Sequence, residues 1–158
     1  MSMVALLLAL AGERAALGVW ERWGAIRDSA PARCFAISQP VVAAGGTDRR
    51  GGFASVVARA GGVPGRYIVF VRLTRARAEK ASVTLAIGER RFALVGTGPL
   101  SARAPDAATD RAIVGAMRGG RSMSVSTTGA GGGAFADSYA LAGAATAIDA
   151  ANMACAGR

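Results

Sequence analysis

The feature that most constrains the fold is a change of hydrophobic period in the last third of the chain. Between residues 121 and 127, Met123 and Val125 alternate with serines, which is the period of two that a strand with one buried face shows. Residues 128–133 are rich in glycine, which loses the most backbone entropy on ordering, so they indicate a turn. The alternation resumes over residues 135–141. Two such strands joined by a glycine turn predict an antiparallel hairpin.

After this hairpin the period lengthens from two to about 3.6 residues, which marks one face of a short helix. The residues on that face are Ala144, Ala147, Ile148, Ala151 and Cys155. Alanine is a strong helix former, and its small side chain allows close approach to a sheet. We therefore expect a helix near 143–153 that packs across the end or face of a sheet.

Asp137 is the charged residue on the otherwise apolar face of the second strand of the hairpin. Carboxylates are almost never fully buried unless they are paired. We therefore predict that Asp137 is a carboxylate at the edge of the sheet, in contact with water. A functional acid at this position is the alternative.

Short alternating segments separated by turn residues also fill the earlier part of the chain. They predict strands at 23–26, 34–37, 53–58 and 67–73 and a second hairpin over 83–94. The strongest is Tyr67–Leu73, which is β-branched and aromatic on both faces and so favours a central strand covered on both sides.

A loop is predicted over residues 96–105, followed by a helix near 107–118 that Asp106 or Asp110 could cap. Together the elements predict a mainly β fold. We expect an antiparallel β-sandwich or strongly curved sheet of about seven to nine strands with two short helices.

The basic composition does not by itself indicate nucleic-acid binding. The formal charge is +9 with 19 basic residues, yet only Lys80 is a lysine, and Gln39 and Asn152 are the only side-chain amides. Arginine, alanine and glycine in such excess are what a GC-rich genome would encode. The arginines are scattered, without interleaved aromatic residues to stack on bases. We expect binding to nucleic acid to be weak and nonspecific.

The chain has no histidine, which removes the commonest general base and the commonest zinc ligand. Two cysteines cannot supply a four-ligand zinc site, there is no paired acidic motif, and no Gly-x-Gly spacing joins a strand to the start of a helix. We therefore expect no catalytic, metal or cofactor site and no enzymatic activity. An enzyme that uses carboxylates and arginine is the alternative.

Residues 3–11 form an unbroken apolar run that ends in Ala9-Leu10-Ala11. The run is too short to span a bilayer and is typical of the hydrophobic region and cleavage site of a secretory signal peptide, without the usual positively charged start. We predict a signal peptide over residues 1–11 and a single β-rich domain over residues 12–158. A buried N-terminal helix is the alternative.

The order of these segments matches a known pattern over most of the predicted mature chain. An acidic helix start, the stretch 112–125 and an alanine-rich final helix follow one another within Asp106–Asp149. The hairpin over 83–92 and the pair Trp23 and Cys34 extend the match toward the start. These features resemble the invasion-associated locus B family of exported bacterial proteins.

Two positions depart from that family. Residues 97–105 hold none of the further cysteines that the family often has there, and Ala144 stands where an aromatic residue is common. The resemblance implies a non-catalytic periplasmic or secreted protein with an accessory role in the envelope or in host interaction, acting on an unknown protein partner. The alternative is a cytoplasmic basic protein that binds nucleic acid.

Cys34 lies on an early predicted strand and Cys155 at the end of the final helix. Because the periplasm oxidises thiols, two cysteines in an exported chain are expected to pair. We predict a structural disulfide between them that joins the two ends of the domain. Two buried, reduced thiols are the alternative.

Overall fold

The computed structural model describes residues 13–41, 51–59, 63 and 65–156, so the predicted signal peptide lies outside the described residues. The strands are β1 (Arg14–Trp20), β2 (Trp23–Ser29), β3 (Ala32–Ser38), β4 (Phe53–Arg59), β5 (Ile68–Arg72), β6 (Val83–Ile87), β7 (Arg90–Gly98), β8 (Ser101–Arg103), β9 (Ser122–Thr128) and β10 (Ala134–Ala140). The helices are α1 (Ala107–Gly119) and α2 (Ala144–Cys155). Within the described part of the chain, neither helix is long and apolar enough to span a bilayer.

All these strands belong to one antiparallel sheet in the order β1-β2-β3-β4-β5-β8-β7-β6-β9-β10. The sheet curves strongly, as contacts between strands far apart in its order show. The indole N–H of Trp23 on β2 donates to the carbonyl oxygen of Ala140 on β10 at 2.8 Å. The N–H of Val41, just after β3, donates to the carbonyl of Ser138 at 2.8 Å. The last strand thus approaches β2 and β3 without closing the sheet. The predicted fold class is confirmed, with ten strands in the described residues rather than seven to nine.

The core lies on the inner face of this curved sheet. Its largest fully buried side chains include Trp23, Leu85, Tyr139 and Ile148. Burial of an aliphatic side chain such as Leu85 or Ile148 stabilises the fold by about 1.5–3 kcal/mol. Helix α2 lies across β1–β4 with its alanine face toward the sheet, as its periodicity predicts.

The sequence does not predict two of the strands. In β1 the register shifts between Ala16 and Gly18, which breaks the alternation. Gly18 lies so close to the Trp20 ring that a β-carbon there would overlap it. Strand β8 has only three residues, falls within the predicted loop 96–105, and pairs with β5 and β7.

The two candidate caps of α1 have different roles. Asp106 is the cap, and its carboxylate accepts the N–H of Thr109 at 2.7 Å. Asp110 instead accepts the backbone N–H of Val69 at 2.8 Å. The carbonyl of Val69 accepts the N–H of Ala104, just beyond β8. Asp110 therefore continues the pairing of β5 past the end of β8 and holds α1 against the sheet.

The prediction of a solvated Asp137 is wrong, because its side chain is 0% exposed. Its carboxylate accepts the N–H of Thr74 at 2.9 Å and also the hydroxyl of Thr74. Thr74 lies just after β5, and the curvature of the sheet brings β10 against it. Burial of a carboxylate is tolerated when hydrogen bonds satisfy its oxygens. Asp137 thus joins β10 to the segment after β5.

Candidate binding groove

The predicted disulfide is present between Cys34 and Cys155, whose Cα atoms are 5.9 Å apart. Cys34 lies in β3 and Cys155 ends α2, and both side chains are buried. The bond therefore fixes the end of α2 to the inner face of the sheet. Its role is structural, and it leaves the outer face of β3 free.

The strand predicted to be covered on both sides is covered on only one. β5 is central in the sheet, and Val69 and Val71 are buried against the core. On the outer face Ile68 is 36% exposed and Phe70 is half-buried. The central position is confirmed, but the prediction of a second covering layer is wrong.

The neighbouring strands repeat this two-sided apolar pattern. In β3, Cys34 and Ala36 face the core, whereas Phe35 and Ile37 face outward. Val57 in β4 lies opposite Phe35 and extends the outward apolar surface toward β5. In these segments apolar side chains occupy both faces of the strand, one face packed in the core and the other on the outer face of the sheet.

These outward side chains line an open groove of about 690 Å³ on the outer face of β3–β5. Ligand pockets usually have about 300–1,000 Å³ and are mostly apolar. The apolar lining consists of Phe35, Ile37, Phe53, Val57, Ile68 and Phe70, with Ala32 and Pro31 at one end. The rings of Phe53 and Phe70 lie 5.9 Å apart, centroid to centroid. The groove therefore offers an aromatic and aliphatic surface to a ligand or partner.

A cluster of three charged side chains lies at one end of the groove. Asp28 is 7% exposed and accepts hydrogen bonds from Arg14 Nε at 2.7 Å, Arg14 Nη2 at 3.0 Å and Arg33 Nε at 3.1 Å. The hydrogen bond from Arg14, and secondarily that from Arg33, holds the pKa of Asp28 below its usual value. Because two guanidinium groups share one carboxylate, the cluster carries one net positive charge.

Both arginines of the cluster also cover the Phe35 ring, which is 7% exposed. The guanidinium carbon of Arg14 lies 5.7 Å from the centroid of the Phe35 ring, and that of Arg33 lies 5.5 Å from it. These distances are typical of cation–π contacts. Within the described part of the chain, Arg33 hydrogen-bonds through Nε alone, which leaves its Nη groups for another acceptor.

The groove contains few polar side chains. Its polar groups are the arginines, whose carboxylate partner is Asp28, and the hydroxyl of Ser55, which donates weakly to the carbonyl of Phe70 at 3.4 Å. Among the described residues, no group of three or more potential ligands could hold a metal ion. Sequence reasoning did not single out the groove; its signal was the apolar character of both faces of three consecutive strands.

Comparison with known proteins assigns no family to this chain: no protein-family model, no curated protein and no solved structure matches it.

Asp28 and Asp110 are expected to change stability with pH in opposite directions. The pKa of folded Asp28 is lowered, so its contribution is present above the ordinary aspartate pKa of about 3.9 and is lost as the pH falls through the folded value. Burial raises the pKa of Asp110, so its contribution is present below the ordinary value and is lost as the pH rises through the folded value. Urea unfolding of wild type, Asp28→Asn and Asp110→Asn between pH 3 and 7 measures both effects.

The advantage of wild type over Asp28→Asn should shrink as the pH falls below 4, whereas its advantage over Asp110→Asn should grow. Asparagine at position 110 keeps an oxygen that can accept from Val69, so the second comparison isolates the charge. Parallel pH curves for the two variants would contradict the assignment of opposite environments.

Proposed function

We propose that this chain is a non-catalytic periplasmic or secreted protein of the invasion-associated locus B type that acts by binding a protein partner. The partner is a component of the envelope or lies outside the cell, and the role is accessory. The observation that carries this proposal is the open apolar groove on β3–β5, beside a cluster with a net positive charge. Contiguous apolar surface on a soluble protein often marks an interaction site.

The disulfide supports export. Disulfides form and persist in oxidising compartments such as the periplasm and are rare in the cytosol. The bond between Cys34 and Cys155 is therefore consistent with a chain that loses residues 1–11 as a signal peptide. The buried positions of both cysteines also fit a permanent structural bond rather than a reactive one.

Cell fractionation with sequencing of the mature N-terminus tests export. The protein is expected in the periplasm or the medium, starting near Gly12. An uncut Met1 in the cytosol would contradict the proposal and favour the nucleic-acid alternative. For that alternative the matching measurement is oligonucleotide binding at physiological salt, which we expect to be weaker than about 1 μM, in the nonspecific range.

Affinity capture from envelope extract tests protein binding at the outer face. Ile68→Asp puts a carboxylate in the groove and is expected to reduce capture of the partner at least about tenfold. Substitutions at the centre of an interface cost more binding free energy than substitutions at its rim. Met153→Asp is the matched control, since Met153 is 76% exposed on α2, away from the groove. A partner captured equally by wild type and both variants would show that it binds elsewhere.

A further inference from the structure

We propose that the groove binds a single-chain alkyl carboxylate, with its hydrocarbon tail along the outward apolar side chains of β4 and β5 and its carboxylate at Arg33. This inference rests on the proposed function in one respect, because both take the outer face of β3–β5 as the binding surface. It goes further in naming a small anionic amphiphile as the occupant of the centre of that face.

The register of the strands places apolar side chains next to the charged end of the groove. Arg33, Phe35 and Ile37 are alternate residues of β3, so their side chains lie on the same face and line the groove together. Four strand residues span about 13 Å. A staggered hydrocarbon chain with C–C bonds of about 1.5 Å covers that distance with about ten carbons.

The middle of the groove suits a hydrocarbon tail rather than a charged ligand. Beyond Arg33 its walls are contributed by β4 and β5, where Val57 lies opposite Ile68 and Ser55 lies opposite Phe70. On β5, Ile68 is exposed and Phe70 is half-buried, whereas Val69 and Val71 are buried against the core. A tail laid over Ile68 and Phe70 would remove this apolar surface from water, at about 0.8 kcal/mol for each buried methylene.

The charged end suits a carboxylate. Arg33 is 43% exposed at its side chain and has unused Nη donors next to the Phe35 ring. Guanidinium groups bind carboxylates through short, charge-assisted hydrogen bonds. The net charge of the cluster, two arginines against Asp28, is matched by one negative charge. A phosphate monoester carries about −1.5 to −2 at pH 7 and would therefore leave the site with a net negative charge.

Calorimetric titration of the purified protein with decanoate, below its micelle concentration, tests the proposal. Decanoate is expected to bind, and hexanoate to bind more than about a hundredfold more weakly, because each methylene contributes roughly fourfold. Arg33→Gln should weaken decanoate binding about tenfold or more but leave the binding of neutral 1-decanol unchanged. Arg91→Gln, an exposed arginine outside the groove, is the matched control for the lost charge.

Two further variants test the tail site without depending on one side chain. Phe70→Ala removes part of the apolar lining, and Ile68→Trp fills the groove with an apolar, strand-compatible side chain; both should reduce decanoate binding at least about tenfold. Val95→Ser is the control, because Val95 is 46% exposed on β7 and does not line the groove. Circular dichroism and thermal unfolding confirm that each variant is folded.

Three outcomes would overturn this inference: no decanoate binding by wild type at millimolar concentration, equal binding by wild type and Ile68→Trp, or tighter binding of decyl phosphate than of decanoate. These titrations contain no protein partner. If decanoate does not bind but Ile68→Asp loses the partner, the ligand inference fails and the proposed function stands. If decanoate binds in the groove but no partner is captured, the ligand inference stands and the proposed function fails.

Discussion

Serine in place of Cys34 or Cys155 is expected to lower the free energy of unfolding by about 4–5 kcal/mol. The disulfide joins residues 121 apart in the sequence, so its loss frees a loop that covers most of the domain and raises the entropy of the unfolded chain. A domain typically unfolds with a net cost of about 5–15 kcal/mol, so this loss is a large part of the total. Urea unfolding of the oxidised protein, followed by circular dichroism, measures it.

Both single variants should lose a similar amount and the double variant little more, because each change removes the same bond. Wild type unfolded in the presence of a reductant should match them. Cys34→Ala and Cys155→Ala are the matched controls, since alanine avoids burying a hydroxyl at Cys34, which is 0% exposed. Two alkylated cysteines in non-reduced protein from the periplasm would contradict the bond.

Most of the sheet and both helices could be predicted because burial of one strand face is recorded in the local sequence. Met123 and Val125, which alternate with serines, are 2% and 0% exposed in β9. The change of period after Leu141 likewise located α2, which begins at Ala144 and ends at Cys155. Period-two and period-3.6 patterns are sufficient wherever the buried face of an element is uninterrupted.

What lies opposite an element is not a local property, and the predictions that depended on it failed. Asp137 is buried because Thr74, 63 residues earlier, supplies two donors to its carboxylate. No pattern within β10 indicates that partner. The role of Asp110 is similar, since Val69, which donates to it, lies 41 residues away.

The groove was missed for the same reason. Apolar residues on both faces of β5 predict a strand with a layer on each side, but whether a second layer exists depends on where the rest of the chain goes. The charged end was missed as well, because Arg14 lies on β1, whose shifted register hides it from a period-two pattern. Its pairing with Asp28 across β1 and β2 follows only once that strand is present.

Gly143→Ala is expected to lower the free energy of unfolding by about 3 kcal/mol or more. Gly143 precedes α2 with φ at +88°, in the left-handed region that other residues adopt at a cost. A β-carbon at this position would also overlap the backbone carbonyl of Trp20 at the end of β1. Because that neighbour is backbone, α2 or β1 would have to move, and both belong to the core. Urea unfolding of wild type and variant measures the loss.

Gly115→Ala is the matched control for the same chemical change. Gly115 lies within α1, and the space that a β-carbon would occupy there is open. Alanine at this position should therefore raise the free energy of unfolding by about 0.5–1 kcal/mol through helix propensity. Gly143→Asn separates the two causes at the start of α2, because asparagine tolerates the left-handed region but still carries a β-carbon. A loss as large as that of Gly143→Ala would identify the overlap with Trp20 as the dominant cause, whereas a much smaller loss would identify the backbone conformation. Wild-type stability in both Gly143→Ala and Gly143→Asn would contradict the close approach of α2 to β1, on which the packing of the final helix depends.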